Sequence, residues 1–400
     1  MKKTLAVAPN AAVPRIGADL YADDAIRDSA QLFRRIRDAG ALVWLPANRL
    51  YALGRFDDVR HALREDATFV SGHGVAANPI ANRLGRNTTL NSDGDVHDRR
   101  RKVLMRSLGA RALADVQESV DAEAERLIEG LLHRPHFDAV ADFGAGLPIA
   151  VVAKLVGIRP DHNRMLRWAA ATFDGLGPTN RRARRQMPSG LSLQAYTRRL
   201  TRRHVAPGSW AASVFDACDR GEISSSESRA LIVDLVAPAL DTTILASAYM
   251  LLLLARNPAA WEAIRADPSL VPAAVVEAVR LASPVRAFTR YVARDTQVDG
   301  RPLPRGSRVA VLYASANRDE RRFDDPDRFD LGRENNTHLG WGNGPHTCVG
   351  IHLAKLEMHA LLRAMIPRVD RIEAGELQPL MNNTLQGIAK LGTSFTAVAA

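Results

Sequence analysis

The sequence predicts a mainly α-helical fold with a small β component, of the α+β class, built as a single domain. Apolar residues recur at helical spacing along most of the 400 residues, whereas strand-like stretches are short and scattered. No internal repeat, low-complexity tract or Gly/Ser-rich linker divides residues 1–400. These three observations together favour one large helical body.

Helical periodicity is clearest in the central and C-terminal parts of the chain. Helices are predicted at residues 28–39, 56–65, 97–107, 111–132, 148–156, 227–254, 258–267, 271–281 and 350–366. The apolar run at 244–255 contains Ser247 and Tyr249. It is shorter than the roughly 18 uncharged residues of a membrane span, so it is interpreted as a buried core helix and no transmembrane helix is expected.

Strand patterns are found at residues 41–45, 50–53, 287–292 and 308–312, with Gly300 and Gly306 in turns between the last two. The chain begins with two lysines and an apolar stretch of only about five residues before Pro9, whereas a signal peptide needs roughly 7–15. Residues 1 to about 18 are therefore expected to be disordered or extended, without a targeting role.

Composition narrows the class of protein. Hydrophobic residues make up 46% and charged residues 24%, a balance typical of soluble globular proteins. Two cysteines in 400 residues, Cys218 and Cys348, provide no disulfide framework and indicate a reducing compartment, so a cytoplasmic location is expected.

The net charge of +10 and the basic clusters at 97–102, 181–185 and 198–203 raise the question of nucleic-acid binding. No interleaved aromatic residues, zinc-ligand spacing or helix-turn-helix pattern supports it, and no nucleic-acid partner is expected. The clusters are interpreted as solvated helix faces, with an acidic protein partner as the alternative.

The most specific local signal surrounds Cys348. Glycine permits positive φ angles and lets the backbone approach a flat partner closely. The cysteine directly precedes an amphipathic helix, whose N–H groups favour a thiolate, and a thiolate is a good iron ligand. A nucleophilic cysteine with His346 as its base, a peroxidase and a redox thiol remain alternatives. The glycines in this segment, 338–350, are Gly340, Gly342, Gly344 and Gly350.

Segment 338–350 resembles the cysteine loop of the cytochrome P450 family, F-G-x-G-x-H-x-C-x-G. Trp341 stands in place of the phenylalanine, and the larger ring could add an indole N–H near the sulfur. The resemblance implies a triangular helical body holding haem b between the long central helix and the helix after the loop. Cys348 would be the axial iron ligand. The matching loop positions are Gly342, Gly344, His346, Cys348 and Gly350.

Three other family motifs occur in the expected order. Glu277 and Arg280 fit E-x-x-R, and the resemblance implies that Arg328 closes a buried, structural ion cluster with them. His97 and Arg101, one turn apart, match H-x-x-x-R. With Arg290 and His346, they are implied to hold the haem propionates, since negative charge in a dry pocket requires basic donors.

The predicted central helix contains the sequence Val-Ala-Pro-Ala-Leu-Asp-Thr-Thr at 236–243. Asp241 and Thr242 match the family's acid–alcohol pair and are implied to be the catalytic residues that deliver protons. Pro238 and Ala239 replace the usual small pair. Because Pro238 has no N–H for the carbonyl of Asp234, a kink that opens the helix to O2 and water is expected.

The resemblance implies a monooxygenase that inserts one atom of O2 into a C–H bond, by hydroxylation or O-demethylation. No flavin or NAD-binding fingerprint is present, so electrons from NAD(P)H are expected through an acidic ferredoxin and its reductase. A monomer is expected. The basic residues proposed to face the ferredoxin are Arg99, Arg100, Lys102 and Arg106.

Segments 240–243, 315–319 and 382–385 are similar to bacterial members that oxidise small aromatic acids such as para-methoxybenzoate. An aromatic carboxylate would be held by Arg83 or Arg86 with Asn87, but Asp234 replaces a serine of that anchor and would repel an anion. A neutral methoxyarene or phenol and a terpenoid or other biosynthetic intermediate remain alternatives. The implied pocket residues are Arg83, Arg86, Asn87, Phe173, Asp234, Ala237, Pro238, Val285, Phe288 and Leu385.

Three other function classes are weighed against a monooxygenase. Isomerases and dehydratases of the family usually lack the acid–alcohol pair, which Asp241 and Thr242 supply. A peroxygenase would carry a carboxylate in place of the alcohol at Thr242. A haem-based sensor would need a sensor or output domain, and none is visible in the sequence.

Overall fold

A computed structural model describes residues 13–158 and 161–399. Its helices are α1 Asp23–Arg27, α2 Ser29–Ala39, α3 Phe56–Arg64, α4 Pro79–Leu84, α5 Gly94–Leu108, α6 Ala110–Ala114, α7 Gln117–Leu132, α8 Gly146–Val156, α9 His162–Leu176, α10 Arg181–Arg199, α11 Trp210–Asp219, α12 Ser225–Arg256, α13 Pro258–Ala266, α14 Val271–Ala282, α15 Tyr313–Ala316 and α16 Ile351–Met365. Its strands are β1 Val43–Leu45, β2 Leu50–Leu53, β3 Phe69–Val70, β4 Phe137–Asp138, β5 Phe288–Val292, β6 Thr296–Val298, β7 Arg301–Leu303, β8 Arg308–Val311, β9 Val369–Pro379 and β10 Ile388–Ala397. The predicted α+β class is confirmed.

The strands form a minor, peripheral part of the fold. The larger sheet has the order β1-β2-β8-β5-β3, in which β2 and β8 are parallel and the other pairs antiparallel. A second sheet has the order β4-β10-β9, and β6 pairs with β7. In the larger sheet, Arg290 on β5 pairs with Val309 on β8, which fixes one of the predicted site residues to a rigid strand.

Helix α12, the longest element, crosses the centre of the helical body. It begins with a capping box: the Ser224 hydroxyl accepts the backbone N–H of Glu227, and the Glu227 carboxylate accepts that of Ser224. Most of its apolar residues belong to the main hydrophobic core, together with residues of α7, α8, α14 and α16. Burial on nearly all sides explains why the helix is apolar around most of its circumference.

Two described segments, Ala139–Val156 and Ser225–Arg256, are long and apolar enough to span a membrane by length and composition alone. Half of the first and 61% of the second are buried inside the protein. Such burial is the usual behaviour of core helices, and α12 is the helix that contains the apolar run at 244–255.

Several predictions of local structure need correction. The predicted helix at 111–132 is divided at residues 115–116 into α6 and α7, and α9, α10 and α11 were not among the predicted helices. Helix α10 is polar around most of its circumference and contains Pro188, so its periodicity is weak. It is held instead by packing against α9 and α12. The long pair β9 and β10 was also not predicted.

The N-terminal prediction is tested only in part, because residues 1–12 lie outside the described residues. Residues 13–18 are extended, and Arg15 forms a parallel bridge with Trp44. Val13 and Ile16 are buried, so this short stretch packs against the fold and is not disordered. The single-domain assignment stays a prediction.

Candidate active site

A cavity of about 1000 Å³ lies between α12 on one side and the cysteine loop with α16 on the other. Helices α5, α9 and α10 and strand β5 complete its walls. The structure brings into this lining every residue predicted to contact a cofactor, which are His97, Arg101, Arg290, Trp341, Gly342, His346, Cys348 and Gly350.

The cysteine loop is held in shape by its own backbone. The N–H of Cys348 donates to the carbonyl of Trp341 at 2.8 Å. Gly342 and Gly344 have φ angles of +74° and +72°, which side chains rarely adopt. A Cβ atom at Gly344 would also lie 2.5 Å from the Leu63 carbonyl oxygen, so only glycine lets the loop pack this closely on α3.

The sulfur of Cys348 receives a hydrogen bond from the backbone N–H of Gly350 and lies near the charge of Arg101. Burial nevertheless dominates and raises the pKa of the thiol above its ordinary value. The Gly350 hydrogen bond and the Arg101 charge both lower this pKa, in the direction expected for a thiolate, but the effect of burial is larger. A coordinated metal cation deprotonates a thiol outright, so iron bound here would hold Cys348 as the thiolate.

Basic side chains with unused donors surround the loop. The rings of His97 and His346 lie 4.3 Å apart, and the Nε2 atom of each is buried without a hydrogen-bond partner. Arg101 donates to the carbonyl of Thr347 at 2.7 Å, and Arg290 donates to that of Thr289 at 3.1 Å. His346 Nε2 is 3.6 Å from Asp93 Oδ1, which is too long for a hydrogen bond.

These residues fit a planar cofactor that carries carboxylates. A soft sulfur ligand lies on one wall, and four basic side chains lie beside it, two of which, His97 and His346, have an unpaired Nε2 atom. Burial lowers the pKa of His346, so its ring is neutral and presents an N–H donor without its own charge. The unpaired Nε2 atoms of His97 and His346 are the strongest sign that a partner belongs here, because buried polar atoms are normally hydrogen-bonded.

Trp341 lines the cavity beside the cysteine. Its ring lies 4.9 Å from the ring of His338, and the Lys355 ammonium group lies 4.9 Å from the ring centroid. This cation–π contact ties the loop to α16. The indole replaces phenylalanine without displacing the loop from the cavity wall.

The opposite wall is formed by α12, which continues as an α-helix through Pro238. The Thr242 hydroxyl donates to the Pro238 carbonyl at 2.9 Å and lines the cavity. The helix is not broken at Pro238, and the expected bend there stays a prediction. Asp241 does not line the cavity, so the acid and the alcohol of the predicted pair have different surroundings.

Two carboxyl groups on α12 have strongly perturbed acidities. Burial raises the pKa of Asp241 to about 7, and the nearby charge of Asp174 adds to this. Burial also raises the pKa of Asp234 to about 7, against the opposing effects of hydrogen bonding with Thr89 and the charge of Arg100. The Asp234 carboxylate accepts the Thr89 backbone N–H at 2.7 Å and lines the cavity.

Of the remaining residues predicted for the substrate pocket, six line the cavity and three do not. Asn87, Phe173, Ala237, Pro238, Val285 and Phe288 line the cavity. Arg83 and Arg86 are exposed and lie outside its lining, and the Arg86 carbonyl accepts a hydrogen bond from Arg100. Leu385 is 1% exposed and packs behind the wall against Phe173 and Leu245.

Sequence reasoning missed three arginines that do line the cavity, Arg184, Arg198 and Arg229. The first two belong to α10, which was not predicted as a helix. The sequence signal for Arg184 and Arg198 was the pair of basic clusters at 181–185 and 198–203, which were interpreted as solvated helix faces.

The predicted ion cluster forms with a different third member. Arg280 donates to Glu277 from Nε at 2.7 Å and from Nη2 at 2.8 Å, and both side chains are fully buried. Arg333, not Arg328, supplies the second arginine, at 3.0 Å from Glu277 Oε1. Arg328 contributes only its backbone carbonyl, which accepts from Arg280 and Arg333. Its own side chain is exposed, because the loop turns it outward.

Comparison with known proteins decides the family. Residues 211–391 match the family model described as Cytochrome P450. Cytochrome p450 CYP199A2 of Rhodopseudomonas palustris is 34% identical over 393 residues, which cover 96% of this chain and 95% of that protein. The chain belongs to the cytochrome P450 family. It is a monooxygenase whose cofactor is haem iron.

Two other members match more than nine-tenths of this cytochrome P450. Linalool 8-monooxygenase of Pseudomonas putida is 28% identical over 396 residues, covering 93% of this chain and 96% of that enzyme. The structure of Mycobacterium marinum cytochrome P450 CYP268A2 in complex with pseudoionone has a TM-score of 0.86 at 25% identity. That similarity covers 96% of this chain and 100% of the other.

Proposed function

We propose that this cytochrome P450 oxidises a small aromatic substrate, by hydroxylation or O-demethylation, and that Cys348 would hold the haem iron. The observation that carries the proposal is the shared cavity: Cys348 lies on one wall, and Thr242 lies with aromatic and aliphatic side chains on the others. His97, Arg101, Arg290 and His346, the basic side chains beside the cysteine loop in the cavity lining, would hold the two propionates.

The haem, when bound, supplies O2 activation and oxygen insertion, and the chain's residues supply position and protons. The Thr242 hydroxyl now donates to Pro238 within its own helix, so rotation about χ1 would direct the same proton into the cavity. Asp241, with its pKa raised to about 7, can both hold and release a proton near neutral pH and would act as its reservoir. Because Asp241 does not line the cavity, its proton would reach the site through Thr242 or water.

The cavity favours a neutral methoxyarene or phenol over a carboxylate. Phe173, Val285 and Phe288 supply apolar walls, and Asp234 supplies a polar group that can accept or, when protonated, donate a hydrogen bond. Arg83 and Arg86, the predicted carboxylate anchors, do not line the cavity, whereas Arg184, Arg198 and Arg229 do, so the preference for a neutral substrate rests on Asp234. An ionised Asp234 would also repel an anionic substrate.

O-demethylation of a methoxyarene balances as ArOCH3 + O2 + 2e⁻ + 2H⁺ giving ArOH, formaldehyde and water. The test is a low-spin to high-spin titration of the ferric enzyme with 4-methoxyphenol, 4-methoxybenzoate and linalool, followed by formaldehyde assay. We expect 4-methoxyphenol to produce the largest spin shift and stoichiometric formaldehyde. A shift with linalool but with neither arene would contradict an aromatic substrate.

A terpenoid is the second candidate, favoured by the size of the cavity and by the relative named linalool 8-monooxygenase. A cavity of about 1000 Å³ is at the upper end of small-molecule sites, which leaves room for a branched aliphatic chain beside the cofactor. Hydroxylated linalool, detected by gas chromatography, would identify this alternative.

We infer that the redox partner is an acidic ferredoxin. Three of the four basic residues predicted to contact it are already in ion pairs within the protein. Arg99 and Arg100 pair with Glu227, and Arg106 pairs with Glu222. Lys102 is exposed and has no ion pair among the described residues. We propose that Lys102 receives the ferredoxin together with Arg64, which is exposed on α3 against the cysteine loop, and Lys355 of α16.

Charge reversal of Lys102 tests this surface. Lys102→Glu should raise the ferredoxin concentration for half-maximal turnover, with Arg167→Glu on α9 as the matched control. Equal effects of both substitutions would contradict a localised surface. We also propose a cytoplasmic monomer, which analytical ultracentrifugation and cell fractionation would test; the two free cysteines are compatible with a reducing compartment.

A further inference from the structure

A second cavity, of about 560 Å³, lies against a different face of helix α10. Ser192, Tyr196 and Arg199 line it, and their spacing of four and three residues places them on one helix face. Ala195 is the one described residue that lines both cavities. We call this second cavity the outer groove, and it also includes Arg164 of α9 and part of the segment 200–205.

The outer groove is strongly basic. Its basic lining residues are Arg164, Arg199, Arg203 and His204, and no carboxylate lines it within the described chain. Arg199 and Arg203 have no ion pair among the described residues, whereas the adjacent Arg202 is paired with Asp216 and Asp219. Uncompensated guanidinium groups around one cavity repel each other, and a bound anion would relieve that repulsion.

The side chain of Arg164 is held in one position in the outer groove by two aromatic rings and a hydroxyl group. Its guanidinium carbon lies 4.8 Å from the Trp168 ring centroid and 5.7 Å from that of Tyr196. The two rings are 4.9 Å apart and tilted by 43°. The Ser192 hydroxyl accepts from Arg164 at 3.2 Å and from the Trp168 indole at 3.3 Å. An arginine fixed by two rings and a hydroxyl loses little freedom when it binds a ligand.

The chemistry of the groove specifies its ligand class. Guanidinium groups match the two oxygens of a carboxylate or phosphate, and aromatic rings favour a planar apolar body. The volume is within the range of small-molecule sites and too small for a protein domain. The absence of acidic lining residues in the described groove excludes selection of a cation.

We propose that the outer groove is a second binding site, for a small organic anion with one oxyanion group on a planar apolar body. Arg164, Arg199 and Arg203 bind the oxyanion, and the ring of Tyr196 faces the apolar body. The site is separate from the haem cavity and goes beyond the proposed function, because it does not depend on which substrate is oxidised. Helix α10 forms a wall of both cavities. The anion therefore binds on the side of α10 that faces away from the haem cavity.

The test uses the haem-loaded enzyme with 4-phenylimidazole bound at the iron, so that the haem cavity is filled. The probe is 4-(trifluoromethyl)benzoate, followed by fluorine NMR, with 4-(trifluoromethyl)benzamide as the neutral control. We expect saturable binding of the benzoate and at least about tenfold weaker binding of the benzamide, as for loss of a charge-assisted pair.

The variants Arg199→Gln with Arg203→Gln should weaken benzoate binding by about tenfold or more. Arg202→Gln is the matched control, because this neighbour lies outside the groove lining, and it should change the Kd less than about twofold. All are surface substitutions, and an unchanged CO spectrum verifies the fold. The proposal is overturned if the benzamide binds equally well, if Arg202→Gln weakens binding as much, or if no saturable binding is found.

Discussion

The two long walls of the active-site cavity are specified by different kinds of physics. On the cysteine side, backbone geometry restricts which residues can occupy the loop. Gly342 and Gly344 have positive φ angles, and the Cys348 N–H forms a 2.8 Å hydrogen bond. A Cβ atom at Gly344 would lie 2.5 Å from a carbonyl oxygen. On the α12 side the helix accepts Pro238 and holds two carboxyl groups with pKa values near 7. The first wall is fixed by packing, and the second is tuned by charge.

The chain departs from its family pattern on both walls: Trp341 exchanges one aromatic ring for another in the cysteine loop, and Pro238 and Ala239 change the backbone of α12. A substitution in the cysteine loop changes the distance between the backbone and a rigid cofactor, so few are tolerated. A substitution on α12 changes proton affinity or hydrogen bonding while the helix stays intact. Variants on the two walls should therefore fail in different ways.

The largest expected effect is at the sulfur. Cys348→Ser should abolish the thiolate-type Soret band of the reduced CO complex and all turnover, because a serine oxygen is a poor ligand for ferrous iron. Cys218→Ser is the control and should leave both unchanged. A wild-type CO spectrum from the Cys348 variant would overturn the assignment of the ligand.

Packing on the same wall is tested by a pair of glycines. Gly344→Ala should lose haem and lower Tm, since it combines a left-handed conformation that costs about 1–2 kcal/mol with the close contact to Leu63. Gly306 has a φ of +87° and open space around its missing Cβ. Gly306→Ala should show the conformational cost alone, so similar haem loss in both variants would argue against the contact.

On the α12 wall, proton delivery should fail without loss of the cofactor. Thr242→Ala should keep the CO spectrum but reduce product per NADH, and Asp241→Asn should slow turnover by about 10²-fold, the lower limit for loss of a general acid. Product and peroxide assays in the same reaction measure both effects. Retained coupling in Thr242→Ala would show that another group delivers the proton.

The charge of Asp234 should appear as a pH dependence of ligand choice. Burial raises its pKa to about 7, so the group is neutral below and anionic above that pH. Affinity for 4-methoxybenzoate should fall as pH rises through 7, by at most about tenfold per unit, while 4-methoxyphenol changes little. Asp234→Asn should remove the slope, and a slope that persists would place the titrating group elsewhere.

The same shift has a consequence for stability. A carboxyl whose folded pKa is raised keeps its proton longer in the folded state, so the folded state loses stability as pH rises from about 4 to 7. Asp234→Asn should therefore gain Tm relative to the parent at pH 8 and gain little at pH 4. Differential scanning calorimetry at the two pH values would measure this.

The smallest expected effect is at Pro238. Pro238→Gly should leave the CO spectrum unchanged but alter the coupling of NADH use to product, because the N–H of residue 238 can then reach the Asp234 carbonyl. Ala239→Gly, one residue on, is the control and should change coupling less. Unchanged coupling in both variants would make the proline incidental to O2 and water placement.

The sequence predicted the cofactor side well because short motifs encode it locally. Residues 338–350 contain the complete loop, and His97 and Arg101 are separated by one helical turn. Helix α10, which forms one wall of the active-site cavity, was not predicted, because it is held by tertiary packing and its polar sequence has little periodicity. Assigning Arg328 in place of Arg333 failed for a related reason, since a long side chain in a loop can reach a carboxylate from several positions.

The basic groups around the cysteine loop also bear on how the cell makes this protein. His97 and His346 face each other with unpaired nitrogens, beside Arg101 and Arg290. When a newly synthesised chain folds without the cofactor, these four basic side chains come together with no anion to accept their hydrogen bonds. The porphyrin would then act as the template for the last step of folding, and the supply of iron and porphyrin in the host would set the yield of native protein.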